Sequence, residues 1–370
     1  MLNKVKSLKS ATKNLTAIIA LVLLCNACKK VETITTTNPA VLAPATGVYV
    51  LSEGGFGSNN TKLSFYTNAT SSVTGDYFLQ QNPTITTGLG DTGNDMITYG
   101  SKLYIVMNVS GRVTVLNANN GTFIKNISFI DGTVNKQPRY ACAARGKVYV
   151  TAYDNKVSVI DTASLTIANT IDVGPNPEGI AASANYLYVA NSGGYNLIPD
   201  STVSLIDLNT ETEIRKIKVG VNPNRVQINQ GGNIFVSAYG NFSNKPASIS
   251  VINGTTNLTS INLGPNFAYS HIRIAGDLAY IFNNYGGIGT AKVFNSATNT
   301  FVRNEFVTDN TIITTAYGID VDELTGDVYI TDAKNYVTAG TVTCFGSEGK
   351  KKFSFSTAPG VSPNKVVFRR

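Results

Sequence analysis

The sequence predicts an all-β chain folded as a seven-bladed β-propeller of four-stranded blades, closed by a C-terminal strand that completes the first blade. Three observations predict it. A tetrapeptide returns at regular intervals, as Gly-Pro-Asn-Pro at 174–177, Gly-Val-Asn-Pro at 220–223 and Gly-Pro-Asn-Phe at 264–267. The interval, about 45 residues, is the period of a propeller blade. Between the first two markers lie four short runs rich in β-branched and aromatic residues, at 179–183, 186–191, 202–208 and 214–219. Gly, Asn, Asp or Ser bounds each run, as turns bound strands. Finally, the two ends of the chain are complementary, as set out below.

Composition agrees with this class. The 370 residues are 42% hydrophobic and only 14% charged, with 33 Gly and no Trp. Such a chain can bury one large core, and no long segment after residue 28 has helical periodicity. The runs are too short for a membrane-spanning barrel, whose strands need about 9–11 residues.

The first 27 residues are expected to be a removable signal. Four lysines (Lys4, Lys6, Lys9, Lys13) precede an apolar run at 17–24 and then the sequence Cys25-Asn-Ala-Cys28. That run is shorter than the roughly 20 residues a spanning helix requires. Its ending resembles a bacterial lipoprotein signal, and the small Ala27 before Cys28 favours Cys28 over Cys25 as the lipidated residue. Residues 28–46, rich in Thr, Pro and Ala, then form a lipid-anchored flexible tether, and 47–370 the propeller. Loss of the four lysines lowers the formal charge from +7 to +3. No later basic cluster carries interleaved aromatics, so nucleic acid is not an expected partner.

Within the propeller, second strands begin near Val48, Leu103, Val148, Leu187, Ile234, Leu278 and Val328, and a third strand follows each. The first blade opens at Gly47 on a second strand, with no inner strand before it. The last blade is followed by 360–366 (Gly-Val-Ser-Pro-Asn-Lys-Val), nearly a copy of the inner-strand start at 220–226, and no second strand follows. The strand at 365–368 therefore completes the first blade and removes a free sheet edge. A solenoid would instead want capping repeats.

The segments Tyr186-Leu-Tyr-Val-Ala-Asn191, Thr202-Val-Ser-Leu-Ile-Asp207 and Ile217-Lys-Val-Gly220, with Asn222-Pro223, resemble YVTN-type repeats of YncE-like, or surface-layer-type, propellers. The resemblance covers about residues 47–368 and implies the fold. The block at 47–60 (GVYVLSEGGFGSNN) with Leu63-Ser-Phe-Tyr66 is similar to surface lipoprotein propellers of the Bacteroidota. Some of those capture cobamides for an outer-membrane transporter. The resemblance thus implies an outer-membrane lipoprotein, surface-exposed or periplasmic. Its partners would be a small polar nutrient or glycan, a cobamide foremost, and a TonB-dependent transporter. A scaffold or adhesion propeller is the alternative function.

Catalysis finds little support. His271 is the single histidine, no G-x-S-x-G, H-E-x-x-H or P-loop is present, and no second Cys-x-x-Cys pairs with Cys25-Asn-Ala-Cys28, so no enzyme, metal or cofactor is expected. His271 fits a packed, hydrogen-bonded role. The carboxylates of 320–327 fit a solvated hairpin turn better than a calcium loop, because the EF-hand spacing is missing. Cys142 and Cys344 fall in different blades and read as small buried thiols.

Binding is better supported. Loops joining second to third strands share a face with the loops between blades. They carry Phe56, Tyr153, Tyr195, Tyr239, Phe242, Tyr285 and Tyr336 among many Asn and Gly, a composition suited to amide-rich ligands. The opposite face has tighter turns, as at 100–102 and 145–147. Alignment of the inner strands, to within one position, places Asn94, Arg139, Glu178, Arg225, Tyr269, Tyr317 and Lys365 at one mouth of the central channel. With the loop tyrosines Tyr195, Tyr239, Tyr285 and Tyr336, this ring is the candidate ligand site. A hydrated polar plug is the competing reading of the same ring.

Overall fold

The computed structural model describes residues 42–370 except 195, 255, 263–269 and 284–290. The expected signal and tether up to residue 41, including Cys28, and the site tyrosines Tyr195, Tyr269 and Tyr285 therefore lie outside the described residues.

Residues Ala43–Arg370 form one compact unit. The described residues contain seven four-stranded antiparallel sheets, which are the blades of a propeller. In blades 2 to 7 the strands run in chain order from the axis outward, and the inner ones are Gly93–Tyr99, Pro138–Ala144, Pro177–Ala182, Pro223–Ile228, Ser270–Ala275 and Ala316–Val321. Blade 1 is built from both ends. Gly47–Ser52, Lys62–Thr67 and Ser72–Thr74 supply its outer three strands, and Pro363–Arg369 its inner one. The closing strand pairs antiparallel with Gly47–Ser52, from Gly47 opposite Arg369 to Ser52 opposite Pro363. The sequence-based closure is what the structure has.

Second strands hold the ring together. Val48, Tyr49, Val50 and Leu51 are all fully buried, as are Leu103 to Met107 in blade 2. Each such strand is covered on both faces by neighbouring blades, which is why these runs are continuously apolar rather than alternating. An aromatic recurs at one register position: Tyr49, Tyr104, Tyr149, Tyr188, Phe235, Tyr280 and Tyr329. Its ring packs in the wedge between blades, and its hydroxyl can reach the outer turn of the next blade. Tyr49 Oη donates to Ala118 O at 2.9 Å, and Tyr188 Oη to Gly254 O at 3.0 Å.

The repeated Gly-x-Asn-Pro has a local cause. A Cβ on Gly174 would lie 2.4 Å from the Asn191 side chain, and one on Gly220 2.3 Å from Ser248 Oγ. The residue just before the inner strand adopts positive φ, at 44° for Asn176, 57° for Asn222 and 52° for Ser362. Asn tolerates that region best among residues with a side chain. The following Pro occupies the first strand position, where its missing N–H does little harm.

Two insertions were not foreseen. A one-turn helix, Tyr77–Gln81, packs under blades 1 and 2, and a small hairpin, Ile130–Asp131 with Val134–Asn135, stands between blades 2 and 3. Cys142 and Cys344 are free thiols, the latter fully buried.

Truncation before Gly360 removes the inner strand of blade 1 and bares an edge at the axis. Thermal denaturation is expected to show a midpoint at least 10 °C lower, or no cooperative transition, since a lost strand removes several kcal/mol at a few °C each. An unchanged midpoint would rule out closure as a stabilising feature.

Candidate functional site

The seven inner strands surround an axial cavity of about 860 Å³. Its wall is polar because strand starts are kinked in a repeated way. A register irregularity follows the first residue of the inner strand in blades 2, 3, 4, 5 and 7, and one occurs at the same place in blade 1. Such a bulge breaks the in-out alternation and turns an extra side chain toward the axis.

Counting from that first residue, equivalent positions hold Asn94, Arg139, Glu178, Asn224, Tyr317 and Asn364. The sequence alignment was therefore one residue off in two blades. Arg225 and Lys365 stand one position deeper, behind Asn224 and Asn364. The Pro that opens four of these strands was the signal that would have fixed the register. All six described members of the proposed ring, Asn94, Arg139, Glu178, Arg225, Tyr317 and Lys365, nevertheless line the cavity.

Second-to-third loops bring their residues to the same mouth, as expected. Tyr153 Oη donates to the Glu178 carboxylate, and Tyr317 Oη to the carboxylate of Glu53, which begins the first such loop. Tyr239 Oη donates to Asn224 Oδ1 at 2.7 Å and sits 3.3 Å from His271 Nε2. Tyr336 packs edge-on against Tyr317, ring centroids 5.5 Å apart. Sequence reasoning had left Glu53, Tyr140, Tyr153 and Asn224 out of the site.

Most charges on the wall are already engaged. Arg139 forms a two-pronged pair with Glu178, at 3.1 Å and 3.2 Å, beneath which Tyr153 packs. Lys365 Nζ lies 2.8 Å from Asp320 Oδ1, whose other oxygen accepts the Val366 amide at 2.8 Å. Arg273 lies 3.7 Å from both Asp320 and Glu323. These contacts join neighbouring inner strands, as do Asp95 with the Ala141 amide at 3.0 Å and Asn364 with Gly93 O at 2.8 Å. The carboxylates of 320–327 are likewise spoken for, with Asp322 on Arg370 and Asp327 on Lys352.

Arg225 differs. Among the described residues it forms no ion pair; its guanidinium lies 4.1 Å from the centre of the Tyr140 ring, and one nitrogen donates to Asn224 Oδ1 at 2.6 Å. Burial raises the pKa of the Glu53 carboxyl, against the pull of the Tyr317 hydroxyl, Arg139 and Arg225. Burial, reinforced by the Arg225 charge, holds His271 well below the ordinary histidine range. His271 also stacks on Phe282, centroids 5.1 Å apart, so it is a packed, neutral imidazole.

With this geometry in hand, comparison places the chain. A family model described as "Domain of unknown function" matches residues 46–359. The chain belongs to the DUF5074 family. No protein of curated function matches it. Several solved propellers are similar to this DUF5074 chain in fold. A putative 6-phosphogluconolactonase from Bacteroides fragilis is 12% identical, with a TM-score of 0.63 over 90% of this chain and 99% of the other. A quinonprotein alcohol dehydrogenase-like protein from Bacteroides thetaiotaomicron is 13% identical, with a TM-score of 0.61 over 88% and 79%. A functionally unknown protein from Desulfotomaculum acetoxidans is 13% identical, with a TM-score of 0.60 over 88% and 99%. At such identities the likeness is one of fold alone.

The neutral His271 makes a pH prediction. Unfolded, it binds a proton below about pH 6.5; folded, it does so only well below that value. Folding stability should therefore fall as pH drops below about 6.5, by at most about 1.4 kcal/mol per unit from this residue. Glu53, with its raised pKa, acts in the opposite direction, so the contribution is read by difference. Denaturation of wild type and His271→Gln at pH 7.5 and 5.0 should show the smaller acid loss in the variant. Equal losses would mean that the imidazole is not held neutral.

Proposed function

We propose that this chain is a non-enzymatic, ligand-binding lipoprotein of the cell envelope. Cys28 carries the lipid that tethers it to the outer membrane, and the loop-rich mouth of the channel captures a small polar nutrient. A cobamide is the leading specific candidate and a TonB-dependent transporter the partner that would receive it. One observation carries the reading: a polar axial cavity of about 860 Å³ runs along the inner strands, from Glu53 and Tyr239 on the loop side to Tyr99 and Glu323 on the tight-turn side. Its size is within the range of small-molecule sites. The wall offers hydroxyls, amides and one guanidinium without a carboxylate partner, which suits an amide- and phosphate-bearing ligand. The similarity of 47–60 to cobamide-capturing propellers supports the specific candidate. Chain entry is also favourable. Thr46 and Ala43 bond to Arg369 and Arg370 on the tight-turn face, so an upstream anchor leaves the loop face free.

A second reading rests on a specific observation. Exposed apolar side chains gather on that same face: Phe56, Leu197, Ile198, Phe242, Ile312 and Val337 are between 54% and 102% exposed. Such a rim suits a protein partner, in which case the propeller is a scaffold or adhesion module.

Calorimetry of the mature domain with cobalamin, cobinamide and a panel of neutral oligosaccharides tests the first reading. Saturable heat with a corrinoid is expected, and Tyr239→Ala should weaken it by roughly 1–3 kcal/mol, as loss of a buried aromatic anchor does. Absence of heat and of co-elution with both corrinoids would end the cobamide reading. The anchor is tested separately. Cys28→Ala should move the protein from membrane to soluble fractions, whereas continued retention would refute lipidation at that residue.

A further inference from the structure

We infer that Arg225 is the anion subsite of the channel mouth, so that the ligand is an anionic molecule, a phosphate or carboxylate borne on a flat body. The inference deepens the ligand-binding reading and rests on it. It follows from how the other charges of the wall are spent. The Arg139 fork is filled by Glu178 at 3.1 and 3.2 Å, and Lys365 is held by Asp320 at 2.8 Å. Arg273 is drawn between Asp320 and Glu323. Freeing Arg139 or Lys365 would take the cation partner from a buried carboxylate, Glu178 or Asp320.

Arg225 carries no such restraint. Of its five N–H donors, one meets Asn224 Oδ1, and no carboxylate of the described residues pairs with it. Asn224 Oδ1 also accepts from Tyr239, so the amide fixes the guanidinium and a loop tyrosine together. The group reaches past the inner strand of blade 4 to the ring face of Tyr140 in blade 3, 4.1 Å from its centre. A guanidinium held over an aromatic face leaves its in-plane donors available beyond the ring, and Arg225 lines the cavity. Its fork matches phosphate or carboxylate oxygens two at a time. The carboxylates that act on it from a distance are held by other partners: Glu178 pairs with Arg139, and Asp95 accepts the Ala141 amide at 3.0 Å. A pre-placed cation beside Tyr140 and Tyr239, in no ion pair among the described residues, is an arrangement suited to an acidic, planar ligand.

Phenyl phosphate, inorganic phosphate and the uncharged phenyl β-glucoside serve as probes on the mature protein, read by calorimetry. Phenyl phosphate should bind saturably and inorganic phosphate more weakly. The glucoside should bind at least tenfold more weakly than phenyl phosphate. Arg225→Gln should weaken phenyl phosphate by tenfold or more, while Lys352→Gln, on the opposite face, should leave it unchanged. If the glutamine variant fails to fold, Arg225→Lys keeps the charge, and a fivefold loss is expected because lysine offers no planar fork. Equal affinity for phenyl phosphate and the glucoside, no phenyl phosphate binding, or an Arg225 variant that binds like wild type would each overturn the assignment. These probes report the charge subsite alone. A failed corrinoid titration beside a positive phenyl phosphate result removes the cobamide and leaves the subsite standing.

Discussion

The structure depends on the pairing of its two ends. A second strand buried on both faces needs a blade on either side, and among the described residues each hydrophobic cluster is shared between neighbouring sheets. The cluster between blades 7 and 1 joins Tyr329, Val342, Cys344 and Phe355 to Val48, Val50, Tyr66 and Val366. It exists only because Pro363–Arg369 adds to Gly47–Ser52. The chain entropy lost in joining ends so far apart grows only with the logarithm of their separation. Burial of one more complete wedge readily exceeds that cost, at roughly 25 cal/mol per Å² of apolar surface.

Closure has a second consequence, at the axis. Seven inner strands converge there, and they come close enough that a Cβ on Gly179 would lie 2.6 Å from Asn224 O and one on Gly318 2.2 Å from Asn364 O. Side chains of the inner strands then share a narrow, partly desolvated space. Polar groups in such a space must satisfy one another. The ion pairs and amide contacts of the wall meet that requirement and stitch one blade to the next. What remains for a ligand is therefore set by what the stitching leaves over, which makes Arg225 distinctive among four cations of similar position.

Much of this was legible in the sequence, for identifiable reasons. The period, the seven second strands and the closing strand follow from patterns that packing enforces at every repeat: apolar runs, a fixed aromatic, Gly where a side chain crosses, Asn at positive φ. The wall of the channel was legible to within one residue. Its register is displaced by bulges, and a bulge shifts which side chain faces the axis without altering the apolar pattern beyond it. That is why Arg225 and Lys365 were grouped with Arg139 and Glu178, while Asn224 and Asn364 were passed over. Glu53 and Tyr140 were missed for a related reason. One stands at a loop start and the other inside a bulge, where alternation says nothing about direction. The helix Tyr77–Gln81 was hidden because five residues are too few to show a helical period.

Positions that specify the fold and positions that could specify a ligand are thus nearly disjoint. Fold resides in second strands, inter-blade aromatics and strand-entry turns, all facing other parts of the chain. The proposed ligand contacts belong instead to bulge residues such as Asn224 and to loop positions such as Glu53 and Tyr239, which line the axial cavity. The first set can be met by many apolar sequences of similar volume. Propellers 12% or 13% identical to this chain can therefore share its fold while sharing nothing of its mouth. The charge balance of the wall, where one guanidinium stands without a carboxylate, belongs to the second set. It is the feature of this chain that its architecture does not require, and for that reason the one from which a ligand is best inferred.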